Sequence, residues 1–308
     1  MRLGAFVVTH RRDEHLERSL RALLGQTRVP DRILVVDNAA SGATEAVVRS
    51  LDHPALTYEA SPANLGSAGG TELGQRRLHE AGFELVYFGD DDNPPRTPDT
   101  IERLIGLLVG SGSDAGGAGA LGARWDWSAG RLVRLPDGAL EEVLEVDFIG
   151  GNHTMIMPRH AMDRVGFYNG ELFFGYPDLE YCLRIRRAGY RLLVDGELMR
   201  RHRRESGRLG LTVRRSPRPR RPRSAVWRNY YTTRNYIAMM RTTFGRPDLA
   251  RREAIRALGR ALASWSRGPR YGAEFTRLQA KALADGYSGR LGPRVPPRAK
   301  YTRGDRSD

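Results

Sequence analysis

The stretch LVYFGDDDNPP, residues 85–95, decides which fold this chain can adopt. It begins with the apolar run Leu85–Phe88, continues into three consecutive aspartates and ends in a proline turn. A short, continuous apolar run is typical of a strand that is buried on both faces of a parallel sheet. Residues that follow the carboxyl end of such a strand lie where sheets of this type bind ligands. The stretch therefore predicts a buried strand that delivers a carboxylate-rich loop to a binding site.

Apolar runs alternate with helical patterns throughout residues 1–110. The other runs are Leu3–Val8, Ile33–Val36 and Leu56–Glu59, and the helical segments cover roughly 13–24, 43–51, 68–81 and 98–109. This alternation predicts an α/β fold with a mostly parallel sheet that is covered by helices on both faces.

The remainder of the chain is less regular. After the Gly-, Ala- and Ser-rich residues 110–130, strands are predicted at 131–135, 143–149, 190–194 and 198–202, with helices at 158–165 and 178–188. We expect a domain over 1–202 with halves 1–110 and 111–202, followed by a basic mobile segment at 203–223 and a disordered tail at 293–308. The helical region 224–292 between them carries helices at 225–243, 248–267 and 272–284.

The positive charge of the chain is concentrated in its last third. The 308 residues carry a net charge of +14, which divides into −8 over residues 1–199, +10 over 200–223 and +12 over 224–308. Such asymmetry suggests a nucleic acid, an anionic membrane surface or a phosphorylated substrate as partner. The alternative is an arginine-rich composition without any partner, since only Lys281 and Lys300 are lysines.

Cysteine content and the first residues bear on the compartment. The single cysteine, Cys182, permits no internal disulfide, and residues 1–8 lack the pattern of a signal peptide. We expect a cytoplasmic protein, with contact to the inner face of the membrane as an open alternative.

The three adjacent aspartates repel one another unless a cation neutralises them. Mg²⁺ and Mn²⁺ are natural candidates because they prefer oxygen ligands and share them with phosphate groups. In an extended segment alternate side chains point the same way, so Asp90 and Asp92 would face one ion and Asp91 would point elsewhere. The alternative is a solvated acidic turn, since aspartate favours turns.

Two other loops follow predicted strands. Asp37 ends the run Ile33–Val36, where an acid can accept hydrogen bonds from a ribose or a base, or else cap a turn. Asn64–Gly70, NLGSAGG, is a glycine-rich start to a helix, where backbone N–H groups suit an anion. It lacks the spacing of a dinucleotide fingerprint and the lysine of a P-loop.

Two acids, Asp178 and Glu180, begin the predicted helix at 178–188, after the aromatic stretch Phe173–Pro177. A carboxylate at a helix N-terminus beside apolar walls is well placed as a general base. The alternative is that both acids only complement the helix dipole. His202 follows a predicted strand and is a candidate metal ligand.

The order of these features resembles that of family 2 glycosyltransferases, which have the GT-A fold. The resemblance covers residues 3–202, and the branch it looks most like is that of bacterial rhamnosyl- and galactofuranosyltransferases. Its motifs are Val8–Arg12, Val35–Asn38, Asn64–Gly70, Asp90–Asp92, Phe173–Arg184 with Gly189, and the later Arg228–Asn235. It implies a GT-A-type mostly parallel sheet flanked by helices, with a Rossmann-like nucleotide-binding half, an acceptor half and a C-terminal helical appendage.

The resemblance also implies roles for the matching positions. The donor-binding residues would be Thr9, Arg11, Asp37, Asn64, Gly66, Asp90, Asp91 and Gly151. The residues that hold Mn²⁺ or Mg²⁺ on the diphosphate would be Asp90, Asp92 and His202. Asp178 would be the catalytic base of an inverting transfer from a UDP- or dTDP-sugar to a hydroxyl of a glycan, glycolipid or small molecule. Many relatives have two adjacent acids here, whereas Leu179 separates Asp178 from Glu180, so Glu180 stays open as the base.

Two other functions remain as alternatives. A sugar nucleotidyltransferase would show an early glycine-rich loop with arginine and lysine, and Val8–Arg12 lacks those glycines. A non-catalytic nucleic-acid-binding protein would use the basic last third, but residues 200–223 contain no aromatic residue to stack on bases. Nucleic acid is therefore not expected as a partner.

An apolar stripe runs along residues 248–267, opposite several arginines. Its members are Leu249, Ile255, Leu258, Leu262 and Trp265. We expect the stripe to pack on the core of the domain, with an anionic membrane surface as the alternative.

Overall fold

The computed structural model describes residues 1–140, 142–150, 155–211 and 222–297. They divide into two compact units, of which the first comprises Met1–Gly170 and Asp178–Thr212 and the second Glu171–Pro177 and Val213–Asp308. The segment Glu171–Pro177 thus groups with residues that follow it much later in the chain. Part of the predicted mobile segment, 212–221, lies outside the described residues, as does the tail from residue 298.

The first unit is built on two sheets. Its strands are β1 (Leu3–Thr9), β2 (Arg32–Asp37), β3 (Leu56–Ala60), β4 (Leu85–Asp90), β5 (Ala115–Gly119), β6 (Gly122–Asp126), β7 (Arg131–Val133), β8 (Val143–Val146), β9 (Phe148–Ile149), β10 (Met155–Pro158) and β11 (Arg191–Asp195). Within the described residues the large sheet has the order β3-β2-β1-β4-β10-β5-β11-β8, and a small sheet has the order β7-β6-β9. β3, β2, β1 and β4 are parallel, and β10 runs antiparallel to both of its neighbours.

Helices cover both faces of the large sheet. Those that begin before residue 212 are α1 (Asp13–Leu24), α2 (Gly42–Ser50), α3 (Gly66–Glu80), α4 (Thr100–Ser111), α5 (Arg159–Val165), α6 (Pro177–Arg187) and α7 (Gly196–Glu205). Alternate residues of β1 enter different clusters, with Leu3, Ala5 and Val7 in the one that contains the leucines of α1, and Phe6 in the one that contains Leu78 of α3. This division into two cores is the arrangement that the continuous apolar runs predict.

Glycines let α3 lie close to β1. A Cβ at Gly74 would come within 2.6 Å of Phe6 Cγ, and one at Gly70 within 2.6 Å of Val8 Cγ1. Gly70 in the glycine-rich segment is thus required for helix–sheet packing.

Four elements of the first unit differ from the sequence prediction. The predicted strand Leu198–His202 is instead part of α7. The side chain of Asp195 caps the start of this helix by accepting a hydrogen bond from the backbone N–H of Leu198. That side-chain cap starts a helix where the apolar pair Leu198 and Met199 had suggested a strand. The other three are strands that the sequence does not predict, namely β5 with the sequence AGGAG, β6 and β10.

The second unit is helical. It contains α8 (Trp227–Ala238), which continues as a π-helical turn (Met239–Thr243), then α9 (Pro247–Ser264), a 3₁₀ turn (Trp265–Arg267) and α10 (Pro269–Ser288). Its core includes Phe173, Tyr230, Tyr231, Phe275 and Leu278. The predicted tail does not begin at 293, because Val295 is buried and its carbonyl accepts a hydrogen bond from the Tyr231 hydroxyl at 2.7 Å.

The apolar stripe of residues 248–267 does not pack on the core as expected. Leu249 is buried, but the other four members are exposed to solvent. Among the described residues, no helix combines the length and apolar character that a membrane span requires.

Candidate active site

The carboxyl ends of three neighbouring strands bring polar side chains to one edge of the large sheet. β1 pairs with β2 and with β4, which places Thr9 opposite Asp37 and Val8 opposite Asp90. Because parallel strands end at the same edge, the loops after β1, β2 and β4 meet there although they are far apart in sequence.

Asp91 is the buried member of the aspartate loop. It is 3% exposed and accepts hydrogen bonds from Thr9 Oγ1 at 2.9 Å and from Arg12 Nη1 at 3.1 Å. Ser19 Oγ donates to its backbone carbonyl at 2.9 Å. Burial raises the pKa of the Asp91 carboxyl, while the Arg12 guanidinium and the Thr9 hydroxyl oppose that rise. Asp91 therefore anchors the loop to β1 and α1.

Asp90 and Asp92 flank this anchor and are more exposed. Asp90 Oδ1 accepts a hydrogen bond from the backbone N–H of Asp91 at 2.8 Å, and Asp92 forms an ion pair with Arg12. One oxygen from each of the three carboxylates lies within 4.8 Å of the others. Carboxylate oxygens this close suit a hard divalent cation. The role of Arg12 has no local signal in the sequence, because Arg12 precedes Asp91 by 79 residues.

Asp37 is fully buried at the end of β2. Its carboxylate accepts hydrogen bonds from the backbone N–H groups of Ala39 at 2.8 Å and Ser41 at 2.7 Å, and from the Tyr58 hydroxyl at 3.0 Å. These bonds fix the turn between β2 and α2. Asp37 therefore caps a turn, which is one of the two roles that its position in the sequence predicts.

Asn64 lies exposed just before α3. Its Oδ1 accepts a hydrogen bond from the backbone N–H of Gly66 at 2.9 Å, and its Nδ2 lies 3.1 Å from Nε2 of His10 in the loop after β1. Gly66 itself has φ +69, a conformation that favours glycine. The start of α3 is thereby joined to the loop after β1.

Two predicted donor-binding residues stand apart from these contacts. Arg11 is exposed, with its backbone in the left-handed region at φ 55. Gly151 lies outside the described residues.

Asp178 lies in the first turn of α6 and is half-buried. It neighbours Tyr168, which is fully buried and belongs to the same unit. Burial and then the nearby Asp178 charge raise the pKa of the Tyr168 hydroxyl well above its usual range. Asp178 is therefore a carboxylate beside aromatic surface at a helix N-terminus.

Glu180, two residues further on, has a different environment. It is 3% exposed and forms a two-point ion pair with Arg184, whose Nε and Nη2 donate to its two carboxylate oxygens at 2.7 and 3.1 Å. Arg184 also donates to the backbone carbonyls of Val165 at 2.5 Å and Phe167 at 2.7 Å. Glu180 thus orients Arg184, which joins α6 to the end of α5 and to the residues after it.

His202 lies on α7, at a cleft that Asn93, Arg96, Leu121 and Leu198 also line. Burial, then the charges of Arg96 and Arg208, lower the pKa of its imidazole to about 4. Within the described part of the chain the close carboxylate group consists of the three aspartates, and His202 does not belong to it.

The motif Arg228–Asn235, to which no role was given, lies on α8 and holds the segment Glu171–Pro177 within the second unit. Arg234 is fully buried and donates to the carbonyls of Leu172 at 3.0 Å, Glu171 at 3.3 Å and Gly292 at 2.6 Å. Its guanidinium lies over the ring of Tyr231, 4.8 Å from the ring centroid.

Asn235 adds a second set of contacts. Its Nδ2 lies within 2.9 Å of the carbonyls of Leu172, Phe174 and Gly175. The backbone of this segment is strained, with φ 59 at Phe173 and φ 68 at Tyr176. We call Arg234 and Asn235 the carbonyl clamp. The segment that it holds leads directly into Asp178 along the chain.

The sequence was compared with those of known proteins. A sequence model of the family described as Glycosyl transferase family 2 matches residues 5–162. Galactofuranosyltransferase GlfT1 of Mycobacterium tuberculosis (strain CDC 1551 / Oshkosh) is 46% identical over 104 residues, 33% of this chain and 34% of that protein. The GlfT1 of Mycolicibacterium smegmatis (strain ATCC 700084 / mc(2)155) is 39% identical over 101 residues, 33% of each chain. The match thus spans about a third of the length of these curated relatives.

Among solved structures, the mannosyltransferase PcManGT from Pyrobaculum calidifontis, in complex with GDP-Man and Mn²⁺, has a TM-score of 0.54 to this chain. It is 17% identical, and the alignment covers 94% of this chain and 86% of that one. At this identity the likeness concerns the fold. The predicted GT-A-type sheet with a C-terminal helical region is confirmed.

Proposed function

This chain belongs to glycosyltransferase family 2, and on that premise we propose that it transfers a glycosyl group from a nucleoside-diphosphate sugar to an acceptor hydroxyl. The observation that carries the proposal is the division of roles in the aspartate loop. Asp91 turns inward and anchors the loop, while Asp90 and Asp92 lie on either side of it, closer to solvent.

The aspartate loop fits a divalent cation of the Mg²⁺ or Mn²⁺ type. Three carboxylate oxygens within 4.8 Å of one another are a hard, negatively charged donor set. We propose that Asp90 and Asp92 hold the cation and that His202 is a further candidate ligand. A cation bound there would neutralise the charge that develops on the diphosphate leaving group. Arg12, which pairs with Asp91 and Asp92, keeps both carboxylates in position before donor binding.

The proposed base is Asp178. Glu180 is engaged by both nitrogens of one arginine fork and is buried, whereas Asp178 is half-buried at the first turn of α6. Asp178 takes the proton of the acceptor hydroxyl while the hydroxyl oxygen bonds to the anomeric carbon. The bond from that carbon to the diphosphate oxygen breaks in the same step. A single displacement of this kind inverts the anomeric centre.

The nucleotide is proposed to lie over the ends of β1 and β2 and the start of α3. Thr9, Arg11, Asn64, Gly66 and Gly151 are the donor-binding candidates in this proposal. Asp37 is proposed to contribute through the turn it fixes, because its own oxygens hold that turn and are covered.

Similarity to the GlfT1 proteins, over one third of the chain, makes a galactofuranosyl donor the first to test. A UDP ester and a dTDP ester are both candidates for the nucleotide of this donor. A glycan, a glycolipid and a small molecule all remain candidates for the acceptor.

Thermal unfolding with UDP, dTDP and GDP, each with Mn²⁺, with Mg²⁺ and with chelator, tests the donor site without an acceptor. A ligand that binds only the folded state, at a free concentration a hundred times its Kd, raises the free energy of unfolding by about 2.7 kcal/mol. We expect a rise of the unfolding midpoint with one nucleotide, which chelator removes. A midpoint that no nucleotide raises under any condition would overturn the proposal. A nucleotide-specific rise that chelator leaves intact would overturn only the role of the metal.

A further inference from the structure

Apart from the buried Leu249, helix α9 exposes its large apolar side chains and buries mainly small ones. Ile255, Leu258, Leu262 and Trp265 are 69%, 54%, 76% and 49% exposed. The side that packs into the unit consists mainly of Ala250, Ala257, Ala261 and Ser264. A surface helix of a water-soluble domain normally has the opposite arrangement.

The four exposed residues form one continuous stripe. Ile255, Leu258 and Leu262 lie on α9, and Trp265 is the first residue of the 3₁₀ turn that continues it. Their spacing of three, four and three positions places them along one face over about three turns. We call Ile255, Leu258, Leu262 and Trp265 the outer stripe. Contiguous apolar surface of this kind marks a place where another apolar phase or surface binds.

The surroundings of the outer stripe are basic. Arg251, Arg252, Arg256 and Arg267 are all exposed along the same stretch. The acids between residues 247 and 267 are Asp248, which pairs with Arg246 at 2.7 Å, and Glu253, which is largely buried and pairs with Arg260 at 2.6 Å and with Arg256 at 3.8 Å. Exposed charge beside the outer stripe is therefore positive, and an occupant should be anionic.

We propose that α9 lies in the headgroup region of an anionic membrane, with the outer stripe inserted among the lipid chains and the arginines on lipid phosphates. A tryptophan and three aliphatic side chains flanked by arginines are the composition of helices that lie in a membrane interface. The proposal is independent of the transfer reaction, because none of these residues belongs to the candidate active site.

The charge distribution favours lipid over the other occupants. A second copy would bring two arginine-lined surfaces together, which is unfavourable. The parts of the chain outside the described residues, 141, 151–154, 212–221 and 298–308, offer only Val213, Ala299 and Tyr301 as apolar side chains apart from prolines. These segments are too polar to cover the outer stripe.

Flotation of the full chain with lipid vesicles tests the proposal. Vesicles of phosphatidylcholine alone are compared with vesicles of phosphatidylcholine mixed with an equal amount of phosphatidylglycerol. We expect binding to the anionic vesicles, weakened by salt, and little binding to the neutral ones. The variant Ile255→Ser/Leu258→Ser/Leu262→Ser should bind the anionic vesicles about a hundredfold more weakly.

Matched controls separate the outer stripe from general surface effects. Val109→Ser/Leu132→Ser/Val143→Ser removes three exposed apolar side chains from the first unit and should leave vesicle binding unchanged. Arg251→Gln/Arg252→Gln should weaken binding by about twentyfold, and Arg18→Gln/Arg131→Gln by much less. If the triple stripe variant does not fold, Trp265 gives a second measurement. Brominated lipid should quench part of the fluorescence of the unmodified chain, and Trp265→Phe should remove that part.

Three results would overturn the proposal. The first is no binding to anionic vesicles. The second is binding that the stripe variant leaves unchanged, which would assign it to other basic residues. The third is concentration-dependent dimerisation in sedimentation velocity that the stripe variant abolishes, without vesicle binding, which would make a second copy the occupant.

Discussion

Two segments of this molecule are held by buried polar side chains, and they are held by opposite chemistry. In the aspartate loop of the first unit, a buried carboxylate, Asp91, accepts hydrogen bonds from Thr9 and Arg12. In the segment Glu171–Pro177 of the second unit, the buried donors Arg234 and Asn235 grip backbone carbonyls. The first arrangement leaves the carboxylates of Asp90 and Asp92 more exposed, and the second leaves a fixed stretch of backbone. Changes near the first should therefore affect binding and turnover, and changes in the second should affect stability.

The largest effect on turnover without an effect on stability is expected for a substitution of Asp178. Asp178→Asn should lower turnover by about a thousandfold, because an amide cannot take the proton of the acceptor. Donor binding and the unfolding midpoint should remain close to those of the unmodified chain. Steady-state kinetics and a nucleotide titration measure both quantities.

Glu180→Gln is the companion variant, since it removes a carboxylate two residues away. It breaks the buried pair with Arg184, so we expect a lower unfolding midpoint as its main effect. A thousandfold loss of turnover in Glu180→Gln, with Asp178→Asn still active, would reverse the assignment of the base.

Asp92→Ala tests the exposed side of the aspartate loop. We expect metal-dependent nucleotide binding to weaken by about a hundredfold, since loss of even an outer-shell partner can reach that size. The unfolding midpoint without ligand should change little, because Asp92 is a partly exposed residue. Calorimetric titration of nucleotide with Mn²⁺ gives the affinity, and Glu14→Ala, at an exposed acid of α1, is the control. Unchanged affinity would show that the cation does not depend on Asp92.

Arg234→Met tests the carbonyl clamp. It removes charged donors from three backbone carbonyls, of which that of Leu172 is in a buried hydrogen bond and the other two are partly buried, so we expect the second unit to lose about 3 kcal/mol of its free energy of unfolding. Urea unfolding measures this loss, and Arg270→Met, at an exposed position of α10, is the control. A loss below about 1 kcal/mol would mean that water replaces these hydrogen bonds readily.

The smallest effect on stability is expected at Asp137. This carboxylate accepts from arginine side chains, so it combines the acceptor found in the aspartate loop with the donor found in the carbonyl clamp. Arg134, the backbone N–H of Gly210 and Arg203 lower the pKa of Asp137 to about 2. A lowered folded-state pKa means that its contribution is complete above the ordinary carboxyl pKa of about 4. That contribution is lost as the pH falls toward 2. The thermal unfolding midpoint of Asp137→Asn, measured between pH 4 and pH 2, should therefore decline less steeply with falling pH than that of the unmodified chain. Parallel declines would show that Asp137 does not contribute to the pH dependence of stability.

Much of the first unit could be predicted because local sequence carries its signals. The strands and helices of residues 3–109 follow from apolar runs that alternate with amphipathic segments. β5 could not be predicted, because its glycines reflect neighbours that the sequence does not reveal. A Cβ at Gly116 would come within 2.6 Å of Tyr190 and 2.7 Å of Ile185. Tertiary crowding selected residues that have little strand propensity.

The same contrast holds for the candidate site. The aspartate loop was identifiable because strand ends are predictable binding positions in parallel sheets. The carbonyl clamp was not, since its partners are about 60 residues apart in sequence and carry no local pattern. The outer stripe was assigned to the core because periodicity reveals that a helix has an apolar face without revealing what covers that face.

The carbonyl clamp also has a consequence for the order of events during protein synthesis. Residues 171–175 leave the ribosome about 60 residues before Arg234 and Asn235 do. At ordinary elongation rates this interval is roughly 3 to 12 s. Gly292, whose backbone N–H donates to the Glu171 carbonyl at 2.7 Å and whose carbonyl accepts from Arg234, follows 58 residues later still. The strained segment before Asp178 thus cannot acquire its final hydrogen bonds until residue 292 has been translated. A nascent chain that has already formed its sheet would still lack a properly held segment before Asp178.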